Sequence, residues 1–308
     1  MIYIVILIII VGAIYFKTAR KKSNNAITDE KLKELILESF LGNSQASDLL
    51  SGWYANNIIS SDRMLPLEIT VYEQLGNQGN IEAQKRLGFM YNYYLKNNEA
   101  SLKWYMKAAE SGDTEAMKLI ALKYVSDDGY GENPEKENEW WLKAANLGDG
   151  EAQRQVAIGY LFGSGSYEKD LDKAVDWFKK AIKSGDKQAL NDLAEIYRGH
   201  PSVVGKYHNP NEAEQLNLTA IESHNQDACK NAAVSLGMIY GAEIVIDNLG
   251  STPKLDPHKA LYWFYQAYFF DDEVEYYKEY IQKIVDKTGI QVSEPELQQW
   301  YQDYLKRR

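Results

Sequence analysis

Between residues 45 and 271 the apolar positions recur at helical spacing, and then the whole block recurs. Ala83, Leu87 and Tyr91 stand at i, i+4 and i+8, so they share one helix stripe, with small Gly88 beside it. Gly88 predicts a close approach by a neighbouring backbone. After a short polar break comes a second amphipathic stretch, with Trp104-Tyr105 early, Ala108-Ala109 late and Gly112 where a left-handed cap favours glycine. Two helices and a turn in about thirty residues cannot bury their apolar faces alone. The leading alanine returns as Ala46, Ala83, Ala116, Ala152, Ala189 and Ala232. A tyrosine follows eight residues later each time, at Tyr54, Tyr91, Tyr124, Tyr160, Tyr197 and Tyr240. Closing glycines fall at Gly79, Gly112, Gly148 and Gly185, with His224 in the fifth place. The pattern predicts six stacked helix pairs whose core holds the alanine, leucine and tyrosine stripe. It also predicts that the pairs Trp104-Tyr105, Trp140-Trp141, Trp177-Phe178 and Trp263-Phe264 wedge between helices.

The two ends lack this pattern. Residues 1–16 contain no charged side chain, and Lys17, Arg20, Lys21 and Lys22 follow at once. At about 1.5 Å per residue the run spans roughly 24 Å, close to a hydrocarbon core of about 30 Å once Thr18 and Ala19 are added. Apolar before basic is the reverse of a signal peptide, so residues 1–19 read as a single-pass anchor. The four bases then lie on the cytoplasmic side of an inner or plasma membrane, and the repeats lie in the cytoplasm. Cleavage near Gly12-Ala13 is the alternative. Residues 20–27 form a basic and polar linker, and 28–44 a helix capped by Thr28. Residues 272–308 read as two closing helices, the second opened by the capping box Ser293-x2-Glu296. Two long connections, Gly199–Pro210 and Glu243–Pro257, should protrude.

The Leu-Gly-x2-Tyr runs at Leu87–Tyr91 and Leu236–Tyr240 resemble the Sel1-like repeat (SLR) family, relatives of the tetratricopeptide repeats. So do Lys-Ala-x2-Trp-Phe at Lys173–Phe178 and the Lys-Ala-Ala-x2-Gly-Asp ends at Lys107 and Lys143. The resemblance covers roughly residues 45–270. It implies a right-handed α-solenoid of about six antiparallel helix pairs within domain 45–271, acting as an adaptor or scaffold, with no catalytic residues to carry over. Some bacterial members are paired with secreted lipase-type toxins, so immunity by direct binding is the alternative. Leu216 and Val71 stand where other repeats have Trp, so the fifth and first repeats should pack less regularly.

Charge narrows the partners. The chain carries −10, and its first 22 residues hold four bases and no acid, leaving −14 on the rest. Such a body argues against nucleic acid, whose phosphates need net positive surface. A single cysteine, Cys229, excludes an internal disulfide. His200, His208, His224 and His258 match no metal motif, and Gly163-Ser164-Gly165-Ser166 lacks the Gly-Lys-Ser/Thr close of a phosphate loop and reads as a turn. Asp127-Asp128 and Asp271-Asp272 read as solvated helix ends. No nucleophile–base pair stands out, so neither enzyme, cofactor nor small-molecule substrate is expected. Two positions after each alanine stand Asp48, Lys85, Lys118, Arg154, Asn191 and Val234. About 200° from the alanine stripe, Lys85, Lys118 and Arg154 are expected to line a binding groove together with Tyr93. The plainer expectation is that these bases pair with Glu82, Glu115 and Glu151.

Overall fold

The computed structural model describes residues 27–56, 58–125, 131–199, 206–245, 255–270 and 275–307. Fifteen α-helices and no strand occur among them. Described residues up to 120 form one compact unit and those from 121 a second. The first holds α1 (Asp29–Phe40), α2 (Ser44–Ala55), α3 (Ser61–Asn77), α4 (Ile81–Tyr93), α5 (Asn98–Glu110) and the start of α6 (Thr114–Lys123). Its core gathers Leu32, Ile36, Leu67, Val71, Leu87 and Trp104. The second continues through α7 (Pro134–Asn146), α8 (Gly150–Phe162), α9 (Leu171–Lys183), α10 (Gln188–Arg198) and α11 (Pro210–Glu222). It ends with α12 (Gln226–Val245), α13 (Pro257–Phe270), α14 (Glu275–Thr288) and α15 (Glu294–Arg307). Phe178, Leu193, Leu236, Phe264 and Ile284 are buried in its core.

Each first helix starts on an Asn or Asp side chain. Asn43, Asn80, Asp113, Asp149, Asp186 and Asn225 accept the N–H of Ala46, Ala83, Ala116, Ala152, Ala189 and Ala228, three residues on. The sixth departs from the register read in the sequence. Ala232 keeps its distance to Tyr240, but the cap lies one turn earlier, so α12 carries an added turn at its start. Second helices end as expected, with Gly79, Gly112, Gly148 and Gly185 at φ of 91°, 88°, 94° and 92°, and His224 at 55°.

Second helices share a start that the sequence reading missed. The N–H groups of Asn97, Asn133, Asp170, Asn209 and Asp256 donate to the carbonyls of Tyr91, Tyr124, Tyr160, Tyr197 and Tyr240 at 2.7–3.0 Å. The same five side chains cap their own helices. The interval from tyrosine to cap runs from 6 to 16 residues, yet the closing bond is the same. Some tyrosine hydroxyls reach back a repeat as well. Tyr91 donates to Glu73 at 2.7 Å, and Tyr240 to Glu214.

Three packing expectations need correction. A Cβ on Gly88 would stand 2.5 Å from the Tyr105 ring, and one on Gly237 2.8 Å from Phe264, so an aromatic side chain is what needs the space, not a backbone. In the aromatic pairs the second members, Tyr105, Trp141, Phe178 and Phe264, are buried, while Trp140 and Trp177 are half-buried. Lysine ammoniums cover these partly open rings, Lys143 at 3.8 Å from Trp140 and Lys180 at 3.7 Å from Trp177. Of the tyrosines, Tyr124, Tyr197 and Tyr240 are buried, Tyr91 and Tyr160 are half-buried, and Tyr54 is exposed.

The anchor at 1–19 and its bases Lys17, Arg20, Lys21 and Lys22 lie outside the described residues, as do Asp127-Asp128, His200 and Asp271-Asp272. Among the described residues no helix is long and apolar enough to cross a membrane.

Candidate protein-binding face

The row two positions past each alanine is more enclosed than a helical wheel suggests. Lys85 has a side chain 24% exposed, held 3.4 Å from Asp113 and 3.7 Å from Glu82. Lys118 is 15% exposed and 2.9 Å from Glu115. Arg154 is 21% exposed, with Asp186 and Asp192 each at 3.5 Å. Asp113 and Asp186 are the caps of the following first helices, so Lys85 and Arg154 tie one repeat to the next. The expected stripe of outward bases is therefore largely neutralised, because each base lies against carboxylates supplied by its own helix or by a neighbouring one. Gly163–Ser166 folds onto α7, where the Asn138 amide donates to the Ser164 carbonyl at 2.7 Å. It is a turn, as the sequence predicts.

The outward face of α4 holds what the charge pattern concealed. Phe89 and Tyr93 follow Lys85 at i+4 and i+8, and both rings are exposed. They stack with centroids 5.4 Å apart and planes 9° apart. Tyr94, also exposed, stands edge-on to both, 6.1 Å from Phe89 and 5.1 Å from Tyr93. Lys96, in the left-handed region at φ 50°, places its ammonium 5.2 Å from the Tyr93 ring. Tyr93 was singled out by the sequence reading; Phe89 and Tyr94 were not. Counting one turn on from Lys85 would have found Phe89.

Beside this cluster opens a cleft of ≈ 550 Å³, with Tyr94 on its lip and Leu50, Tyr54, Met64 and Tyr72 along its walls. Arg86 spans it, 5.2 Å from the Phe40 ring and 5.7 Å from Tyr72, with Nε donating to Glu82 at 3.1 Å. Burial pushes the Glu68 carboxyl in the wall upward, against the pull of Arg86. Among the described residues no group of His, Cys, Asp and Glu has the arrangement of a metal site. Cys229 is buried, and burial raises its thiol pKa. The surface offers mutually stacked aromatic rings and a half-apolar cleft, which suit a polypeptide.

The Sel1 repeat family model matches residues 81–113, 115–149, 150–186 and 231–268, so the chain carries Sel1 repeats at four positions. The first and fifth helix pairs, with Val71 and Leu216 at the Trp position, fall outside these matches. No curated protein matches the chain. Among solved structures, c5321, a protective antigen present in uropathogenic Escherichia coli strains displaying an SLR fold, aligns over 95% of this chain with TM-score 0.60 and 24% identity. This chain spans 60% of the length of c5321. A Sel1 repeat protein from Oxalobacter formigenes aligns over 78% of this chain and 92% of its own, with TM-score 0.57 and 23% identity. These likenesses establish the fold. The Pseudomonas aeruginosa immunity protein PA5088 aligns over 75% of this chain and 76% of its own at TM-score 0.39 and 16% identity, too distant to add to it.

Proposed function

We propose that this chain, a Sel1-repeat protein, is a membrane-anchored scaffold that seats a partner protein on the outward face of α4, centred on Phe89, Tyr93 and Tyr94. Three contiguous exposed aromatic rings, fixed against each other, carry the reading. Exposed apolar clusters of this kind mark interaction sites, and aromatic anchors dominate protein interfaces. The rings are already ordered by their stacking, so a partner gains contact area at small entropic cost. Lys85, one turn before Phe89 on α4, borders the contact as a paired charge that favours correctly oriented partners rather than adding much affinity. Residues 1–19 supply the anchor, with Lys17, Arg20, Lys21 and Lys22 holding the repeats on the cytoplasmic side.

A photo-crosslinking residue at position 93 of the full chain tests the contact in cells. One dominant adduct is expected, lost when Phe89 and Tyr94 are changed to Ala, and absent from the same probe at Glu99. Equal adducts from positions 93 and 99 would remove the basis for this face. If the captured protein is a secreted enzyme that the chain silences at 1:1, the adaptor role gives way to toxin immunity. Phosphatase activity from a fusion after Arg308 would overturn the cytoplasmic placement.

A further inference from the structure

The first helix pair leaves open a stripe that the other five pairs close. In those five, the residue one turn past the leading alanine (Leu87, Ile120, Val156, Leu193 or Leu236) is buried, and so is the small residue after it. In the first pair Leu50 is only half-buried and Ser51 is exposed, and both line the cleft of ≈ 550 Å³ in the first unit. Where the stripe is closed by an aromatic ring, that ring comes from the second helix, as Tyr105 over Gly88 and Phe264 over Gly237. Tyr72 holds the place of Tyr105, at the same distance before Gly79 as Tyr105 before Gly112. Its ring packs on Phe40 of α1 at 5.3 Å, and the cleft remains open at Ser51. The space along Leu50, Ser51 and Met64 therefore suits one further ring.

Polar groups in the walls select what that ring carries. Glu68 of α3 lines the cleft, and burial pushes its carboxyl upward, eased only in part by the charge of Arg86. Arg86 makes its ion pair with Glu82, at 3.1 Å, and among the described residues no group donates a hydrogen bond to Glu68. A cationic ligand would meet Arg86 and an anionic one Glu68, whereas a neutral donor meets no like charge. Carboxylates of this chain take phenols elsewhere: Tyr91 donates to Glu73 at 2.7 Å and Tyr207 to Asp172 at 2.6 Å. We infer that the cleft takes a tyrosine side chain of a bound polypeptide, its ring against Leu50, Ser51 and Met64 and its hydroxyl donating to Glu68. This rests on the scaffold reading and adds the chemistry of the partner. Tyr94 belongs both to the exposed cluster of α4 and to the lip of the cleft, so one polypeptide can reach both.

The test titrates acetyl-tyrosine amide into the full chain in lipid nanodiscs, labelled with 13C-methyl methionine, and follows the Met64 methyl. A saturable shift is expected, with acetyl-phenylalanine amide about tenfold weaker for want of the hydroxyl. Glu68→Leu should remove the preference for tyrosine over phenylalanine while leaving the melting temperature within a few degrees. Ser51→Phe, at an exposed position, should fill the space and weaken tyrosine binding about tenfold or more. No saturable shift, equal binding of phenylalanine, a tyrosine preference that survives Glu68→Leu, or unchanged binding in Ser51→Phe overturns the inference. Crosslinking at position 93 without tyrosine binding sinks this inference alone. Tyrosine binding without any crosslink sinks the scaffold reading and leaves the cleft as a phenol site.

Discussion

Tyr54, Tyr160 and Tyr197 hold the same place in three repeats, yet their surroundings differ. Tyr197 is 4% exposed and meets Tyr207 from the following loop at 6.2 Å, while Tyr54 is 55% exposed in the wall of an open cleft. Tyr160 is half-buried, its ring 4.5 Å from Tyr167. Tyr197→Ala should therefore cost about 3–5 kcal/mol, because a buried ring is lost and a cavity remains. Tyr54→Ala should stay within about 0.5 kcal/mol, and Tyr160→Ala should fall between them. Urea unfolding of the three variants checks the order; three equal losses would mean that repeat register, not local cover, fixes the cost. Register was legible in the sequence because alanine and tyrosine recur eight apart. Cover was not, because it comes from residues such as Tyr207 and Tyr167 in connections that have no repeat. The same gap hid the enclosure of Lys85 and Arg154. A helical wheel points them outward but does not show the capping aspartates of the next repeat.

Helix ends divide along similar lines. Gly112 and its counterparts were legible because a left-handed residue favours glycine, and His224 at φ 55° marks the position where that preference was set aside. The added turn in α12 was not legible, because Ala228 and Ala232 lie on one stripe and only the Asn225 cap distinguishes them. Nor was the common start of the second helices, since it rests on a backbone bond between residues at no fixed spacing. That bond closes each connection whatever its length. Asn209 receives the Glu212 N–H and donates its own N–H to Tyr197, so Asn209→Ala should cost about 1 kcal/mol through the lost cap. Inserting four Gly/Ser residues within 200–205 should cost only a few tenths of a kcal/mol, since closure entropy grows with the logarithm of length, about 0.6 kcal/mol per doubling. Denaturant titration of both variants separates the effects. A larger loss from the insertion would show that the connection, rather than the cap, positions α11.

At the scale of the whole molecule, stacked helix pairs leave an open apolar end that something must cover. In the second unit α13 is that end: Leu261 and Phe264 are fully buried, though they belong to the last repeat. Their cover comes from α14 and α15, which bring Tyr277, Ile284, Trp300 and Tyr304 into the same core. Polar ties fix the cover in place. The Gln266 amide donates to the Trp300 carbonyl at 2.7 Å, and Arg307 donates to Gln266 Oε1 at 3.0 Å and to the Tyr262 hydroxyl at 2.8 Å. Both hydrogen-bonding ends of a fully buried glutamine thus depend on the final helix, and without it the side chain would be left unpaired in an apolar setting. Deleting residues 275–308 should therefore do more than trim an end. Repeat stability passes between neighbours, so loss of protection should be greatest in α13 and α12 and fade toward α10 and α8. Amide exchange measured by mass spectrometry should show protection in α13 falling by about a hundredfold or more, with new dye-binding apolar surface. If α13 keeps its protection in the shortened chain, the repeats are stable without cover and α14 and α15 have some other task.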